Sequence, residues 1–268
     1  MRSNPFLLIL ILFISFNSLA QSSLSKQVKH FTIETPQLDT IKKIWIYLPG
    51  NYRNTERKYP VIYMHDGQNL FDKETSYVGE WEVDEILDSI KTPEAIIVGI
   101  EHGGNKRIDE LTPFPHEKYG GGKADVYLNF ILNNLKPHID STYRTLPDHE
   151  NTGIFGSSLG GLVAYYAALK YPNTFGMVGA YSPSFWFNDK IYDMTRESNL
   201  NTKTKFYFLV GTEESEEMVP DLKRMIEVLK EKGIKNEKFK VKYVEGGKHN
   251  EVMWSDNFLE SYLWLMRN

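Results

Sequence analysis

Residues 152–171 constrain this chain more than any other stretch. Thr152-Gly153-Ile154-Phe155 is a short apolar run of the kind that forms a buried strand, and Leu159 to Tyr171 has the pattern of a helix. Between them stands Gly156-Ser157-Ser158-Leu159-Gly160. A G-x-S-x-G joint between strand and helix is a nucleophile elbow, a turn so sharp that the central serine is held in strained backbone with its hydroxyl exposed. Small residues must flank it because strand and helix nearly touch, and Gly156 and Gly160 meet that need. Ser158 is therefore the candidate nucleophile. Ser157, at the second position of the motif, points elsewhere and is structural.

A serine hydroxyl attacks poorly until a base takes its proton and a third group orients that base. On this kind of turn the chain order is serine, then an acid, then histidine. Of seven histidines, at 30, 65, 102, 116, 138, 149 and 249, only His249 follows the elbow. It lies in Gly246-Gly247-Lys248-His249-Asn250, directly after the strand-like Phe239 to Val244. The acid belongs at the end of the preceding strand, Phe206 to Val210, which runs into Gly211-Thr212-Glu213-Glu214-Ser215-Glu216-Glu217. Four glutamates compete there, and chemistry alone does not choose among them. Most form a solvated rim opening the next helix, where negative charge suits the N-terminus. Glu214 is preferred as the acid, with Glu213 the alternative.

The rest of the chain fixes the fold class. Strand-like runs cover Val28 to Thr35, Ile41 to Leu48, Val61 to His65, Ala95 to Ile100, Gly153 to Phe155, Gly176 to Tyr181, Phe206 to Val210 and Phe239 to Val244. Helical patterns cover Val83 to Ile90, Ala124 to His138, Leu159 to Tyr171, Met218 to Lys232 and Asn257 to Met266, the last with a start near Glu251. The first strands follow one another through turn-rich sequence. The later ones alternate with helices, which requires right-handed crossovers and a mostly parallel sheet. This is an α/β protein on the α/β-hydrolase plan: leading antiparallel strands, a mostly parallel central sheet and helices on both faces. The elbow then falls at the C-terminal edge of a central strand, where such sheets bind ligands.

Residues 1–20 have the form of a secretory signal: Arg2, an apolar run from Phe6 to Phe16, and Ser18-Leu19-Ala20 as a small-x-small site, with cleavage expected after Ala20. The apolar run is short for a spanning helix, which takes about 20 residues. The expected mature protein is one α/β domain over residues 21–268, periplasmic or secreted, with no stable membrane association. The chain has no cysteine, so it has neither a disulfide framework nor a thiolate metal site, and the fold rests on its apolar core. A net charge of −4 gives no footprint for nucleic acid.

Acyl transfer places negative charge on a carbonyl oxygen, and preorganised backbone N–H donors stabilise it. One donor is the residue after the nucleophile, Leu159. The other is expected from the loop after the third strand, His65-Asp66-Gly67-Gln68-Asn69, where Gly67 permits unusual backbone angles and the Gln68 N–H is the candidate.

With these pieces in order, the chain resembles the esterase D group of α/β-hydrolases, and within it the enterochelin and bacillibactin esterase type, related to feruloyl and acetyl-xylan esterases. The resemblance rests on the run from Tyr59 to Phe71, on Val98-Gly99-Ile100-Glu101-His102-Gly103-Gly104 with Arg107 and Glu110-Leu111-Thr112-Pro113, on the elbow, on Tyr181-Ser182-Pro183-Ser184-Phe185-Trp186, and on residues 246–250. It implies Ser158 as nucleophile, His249 as base, Glu214 as acid in place of the commoner aspartate, and Gln68 as oxyanion donor. It implies no metal and no organic cofactor.

The expected activity is hydrolysis of a carboxylic ester through an acyl-enzyme, on a siderophore or an acylated sugar or polysaccharide. An acyltransferase and a hydrolase-like binding protein without turnover are the alternatives. Three further residues are candidates for substrate contact. Arg107 either meets an anionic or catecholate group or pairs with Asp109 or Glu110. Trp186, beside Phe185, is either an aromatic wall or core. Trp81 lies either at the site or beneath it.

Overall fold

The computed structural model describes residues 22–76, 78–92 and 94–267; the expected signal, residues 1–20, lies outside them. The described residues form ten strands: β1 (Val28–Thr35), β2 (Thr40–Tyr47), β3 (Val61–His65), β4 (Ile96–Ile100), β5 (Pro115–His116), β6 (Gly120–Gly121), β7 (Thr152–Ser157), β8 (Met177–Tyr181), β9 (Lys205–Gly211) and β10 (Phe239–Val244). Eight of them make one sheet in the order β1-β2-β4-β3-β7-β8-β9-β10, and β5 with β6 makes a separate two-stranded ribbon. Within the large sheet β2 is antiparallel to both of its neighbours, and every other pairing is parallel.

The helices are α1 (Val83–Ser89), α2 (Arg107–Leu111), α3 (Ala124–Phe130), α4 (Lys136–Thr142), α5 (Leu159–Lys170), α6 (Lys190–Glu197), α7 (Met218–Glu231) and α8 (Glu251–Leu265). They cover both faces of the sheet, because side chains alternate along each strand. Val61 and Tyr63 of β3, with Phe206, Phe208 and Val210 of β9, pack on the face that α3 to α7 cover. Ile62, Met64, Tyr207 and Leu209 pack on the other face, under α1 and α8. A strand buried on both sides has no polar face to alternate with, which is why β3 and β9 are almost unbroken apolar runs.

The second helical pattern runs further than expected. A π-helical turn at Ile131–Leu135 joins α3 to α4, and the helix continues past Pro137 to Thr142. Proline has no N–H to donate and its ring crowds the preceding turn. The widened turn immediately before it accommodates both defects.

Candidate active site

β7 delivers the chain to Ser158, which has φ 57° and ψ −122°, and α5 begins at the next residue. Positive φ at a serine costs about 1–3 kcal/mol and persists only where the surroundings hold it. Here they do. Ser158 N–H donates to the Tyr181 carbonyl at 2.9 Å, and its own carbonyl accepts from Ser184 N–H at 3.1 Å. A Cβ on Gly156 would lie 2.6 Å from the carbonyl carbon of Gly160, so the close approach of strand and helix excludes any side chain there. Ser158 Oγ is 3.4 Å from Ser184 Oγ, its hydrogen-bond partner in this structure.

His249 stands in the loop between the edge strand β10 and α8. The Asn250 side chain caps α8 by accepting from Met253 N–H at 3.0 Å, which fixes the loop immediately after the imidazole. Nδ1 of His249 lies 2.7 Å from Glu214 Oε2. The other oxygen of Glu214 accepts from Gly211 N–H and from Ser182 Oγ, both at 2.6 Å. Ser182 in turn accepts from Trp254 Nε1 at 2.8 Å, and the Trp254 ring stands edge-on to His249 with centroids 5.0 Å apart. The Glu214 side chain is 1% exposed. Glu213 is exposed, and its backbone N–H bonds the Gly247 carbonyl, so of the two glutamates it is Glu214 that meets the ring. The sequence assigned no role to Ser182 or Trp254; the signal for Ser182 is the Tyr181-Ser182-Pro183 run at the end of β8.

The loop after β3 turns at Asp66, whose φ is 57°. This corrects the expectation for Gly67, which needs no unusual angle. A Cβ at Gly67 would come within 2.6 Å of the Gly99 carbonyl carbon, so glycine is required there by proximity to β4. Gln68 and Leu159 both stand in the first turn of a helix, Gly67–Asn69 and α5, where backbone N–H groups have no intrahelical acceptor.

Arg107 grips Asp66 with two bonds, Nε to Oδ1 at 2.7 Å and Nη2 to Oδ2 at 2.8 Å. Neither sequence neighbour is its partner: Asp109 pairs with Lys123, and Glu110 with the buried Lys42. Burial pushes the Asp66 carboxyl up, but the charge and hydrogen bonds of Arg107 outweigh it and hold it below the usual carboxylate range. Beneath this pair His65 is fully enclosed, its Nδ1 2.8 Å from the Tyr127 hydroxyl, and burial lowers its pKa to about 4.

Ser158 and His249 border two adjoining cavities. One, about 560 Å³, is walled by Trp186, Met218, Ser184 and Glu217. The other, about 480 Å³, is walled by Gln68, His102, Arg107, Asn250 and Glu251. Trp186 is 41% exposed and faces the first, whereas Phe185 is core. Trp81 lies beneath the site and not in its walls. It is 3% exposed, lines neither cavity, and packs on Tyr181, Trp254 and Phe258, so it supports Trp254 from below. Among the described residues, Glu80, Asp84 and Glu85 form the one group of three carboxylates close enough to share a metal ion, and none of them lines the cleft. No helix of the described residues is long and apolar enough to cross a membrane.

The family model described as "Putative esterase" matches residues 35–265, from the end of β1 to the last residue of α8. The chain belongs to this esterase family. It is 28% identical to YbbA of Bacillus subtilis over 241 residues, which are 84% of this chain and 92% of that one. It is 26% identical to the endo-1,4-beta-xylanase/feruloyl esterase of Xylanibacter ruminicola over 238 residues, 85% of this chain but 29% of that longer protein. The fold matches the enterobactin esterase FES of Shigella flexneri, solved in the presence of 2,3-di-hydroxy-N-benzoyl-glycine, with a TM-score of 0.72 and 18% identity over 89% of this chain and 59% of that one. The family points to an ester hydrolase, and the likeness to solved structures gives the α/β-hydrolase scaffold.

Proposed function

We propose that the protein is an exported serine esterase, a single domain over residues 21–268 that cleaves a carboxylic ester through an acyl-enzyme on Ser158. The observation that carries this reading is the 2.7 Å contact between His249 Nδ1 and Glu214, on a ring that shares both cavities with the strained Ser158. With Nδ1 engaged by a carboxylate, the proton of the neutral ring resides there, and Nε2 is left as the base.

In the first step Ser158 Oγ bonds to the ester carbonyl carbon while its proton passes to His249 Nε2. The oxyanion that forms is met by the Gln68 and Leu159 N–H groups. Collapse of the intermediate breaks the bond to the alkoxy oxygen, which takes the proton from His249 and leaves as the alcohol. Water then repeats the sequence on the acyl-enzyme and releases the acid. The Ser158 hydroxyl, bonded to Ser184 in this structure, turns to His249 when substrate enters; hydrogen bonds of this kind are often loose before the reactive complex forms. The relatives named above favour aryl or acyl esters of siderophores or of sugars as substrates.

Export rests on the pattern of residues 1–20, and the mass of the mature protein, starting at Gln21, tests it. The chemistry is tested by turnover of an aryl acetate. The intact protein hydrolyses it, and Ser158→Ala loses several orders of magnitude in kcat. Retention of turnover by that variant refutes the assignment.

A further inference from the structure

Glu251 is a buried carboxylate aimed into the cleft that the reaction above leaves unused. It is the first residue of α8, two positions after His249, and is 9% exposed. It lines the cavity that holds Gln68 and Arg107. Its hydrogen-bonding contact is its own backbone N–H, and no side chain of the described residues donates to it. Burial raises its pKa; beyond that, Asp66 repels its charge, while His249 and Arg107 attract it. Burying a carboxyl without a donor costs free energy, and a ligand that supplies donors recovers it.

The cleft is divided by chemistry around Ser158. On one side Trp186 and Met218 offer an aromatic face and an apolar side chain, beside Ser184, Ser215 and Glu217. On the Glu251 side it offers carboxylate, guanidinium, amide and imidazole groups. The charge of the cation on that side is already offset. Both donors that Arg107 directs at Asp66 are taken, in a pair whose charges cancel. With Glu251 beside it and Glu217 across the cleft, the site carries no unpaired guanidinium or ammonium charge among its lining residues. An anionic iron–catecholate complex would be repelled here. An uncharged ligand rich in hydroxyl donors would not, because a carboxylate is an acceptor only and takes two adjacent hydroxyls at once.

We infer that Glu251 is a specificity-determining residue that accepts hydrogen bonds from hydroxyls of the leaving alcohol, so that the preferred substrate is an acylated sugar with its acyl group on the Trp186 side. This rests on the serine esterase reading and names its substrate class.

The test compares two esters with the same aryl acyl group, one of methanol and one of a pentose or hexose hydroxyl. The ratio of their kcat/KM values is read in the intact protein, in Glu251→Ala and in Glu251→Gln. The sugar ester is expected to be favoured at least tenfold by the intact protein. That ratio is expected to fall tenfold or more in Glu251→Ala, and Glu251→Gln, which keeps an acceptor, is expected to recover part of it. A ratio near one in the intact protein, a ratio unmoved by Glu251→Ala, or preference for a catecholate siderophore ester overturns the inference. Each of those outcomes leaves the serine esterase standing, provided Ser158→Ala is inert. Failure to hydrolyse either ester by a protein that still turns over an aryl acetate overturns the inference alone; failure on the aryl acetate as well removes both.

Discussion

Glu214 and Ser182 are 2.6 Å apart, and through that contact the carboxylate that orients His249 is tied to the Trp254 indole. The acid therefore does not hang in a loop. Two donors hold one of its oxygens, and the other faces the imidazole.

From this follows the first prediction. Glu214→Gln keeps the shape but presents an amide to Nδ1, which no longer favours the working tautomer or stabilises the imidazolium. A fall in kcat of about 10²–10⁴ on an aryl acetate is expected, with KM little changed. Glu213→Gln should leave kcat within about twofold, since that side chain stands in solvent away from the ring.

Ser182→Ala removes one donor to Glu214 and the acceptor of Trp254 Nε1 together. The loss of a buried hydrogen bond that leaves its partner unsatisfied costs about 1–3 kcal/mol. The expected result is a lower thermal midpoint together with a smaller fall in kcat than Glu214→Gln produces. Differential scanning calorimetry and steady-state kinetics on the same variant check it.

Arg107→Lys tests whether the pair with Asp66 holds the Gln68 loop in place. A lysine carries the charge but cannot make two parallel bonds to one carboxylate. The variant is expected to lose kcat rather than substrate affinity, because the donor it displaces acts on the oxyanion and not on the ground state. A rise in KM with unchanged kcat would assign Arg107 to substrate binding instead.

His65 sets an acid limit on stability. Burial lowers its pKa from 6.5 to about 4, so below pH 6.5 the unfolded chain takes up a proton that the folded one refuses. Its contribution is complete above pH 6.5 and is lost progressively as pH falls to about 4, by an amount on the order of 3 kcal/mol. Urea unfolding at pH 7 and pH 4.5 should show the loss, and His65→Gln, though less stable at pH 7, should show a flatter pH dependence.

Much of this site is written locally. Gly156, Ser158 and Gly160 announce the elbow because the backbone there has no other solution, and β3, β9 and the loop holding His249 follow from apolar runs and glycines. The place after a strand end narrowed the acid to four glutamates, and the family resemblance singled out Glu214. What sequence could not supply were partners far along the chain. Arg107 has acids at 109 and 110, yet its true partner is Asp66, 41 residues away, because Lys42 and Lys123 take the nearer ones. Trp81 looked equally able to face or underlie the cleft, and only the packing of Tyr181, Trp254 and Phe258 decides it. Helices α2 and α6, at five and eight residues, are too short for a 3.6-residue period to declare itself. Glu251 passed unnoticed because one carboxylate at a helix start usually serves the helix dipole.

The central claim is that Ser158 is an activated nucleophile, and a fluorophosphonate label tests it most directly, because an unactivated serine does not react. Intact-mass and peptide analysis should show one adduct per chain on Ser158, with labelling slowed by orders of magnitude in His249→Ala. An unlabelled Ser158, or one labelled equally fast without His249, contradicts the account.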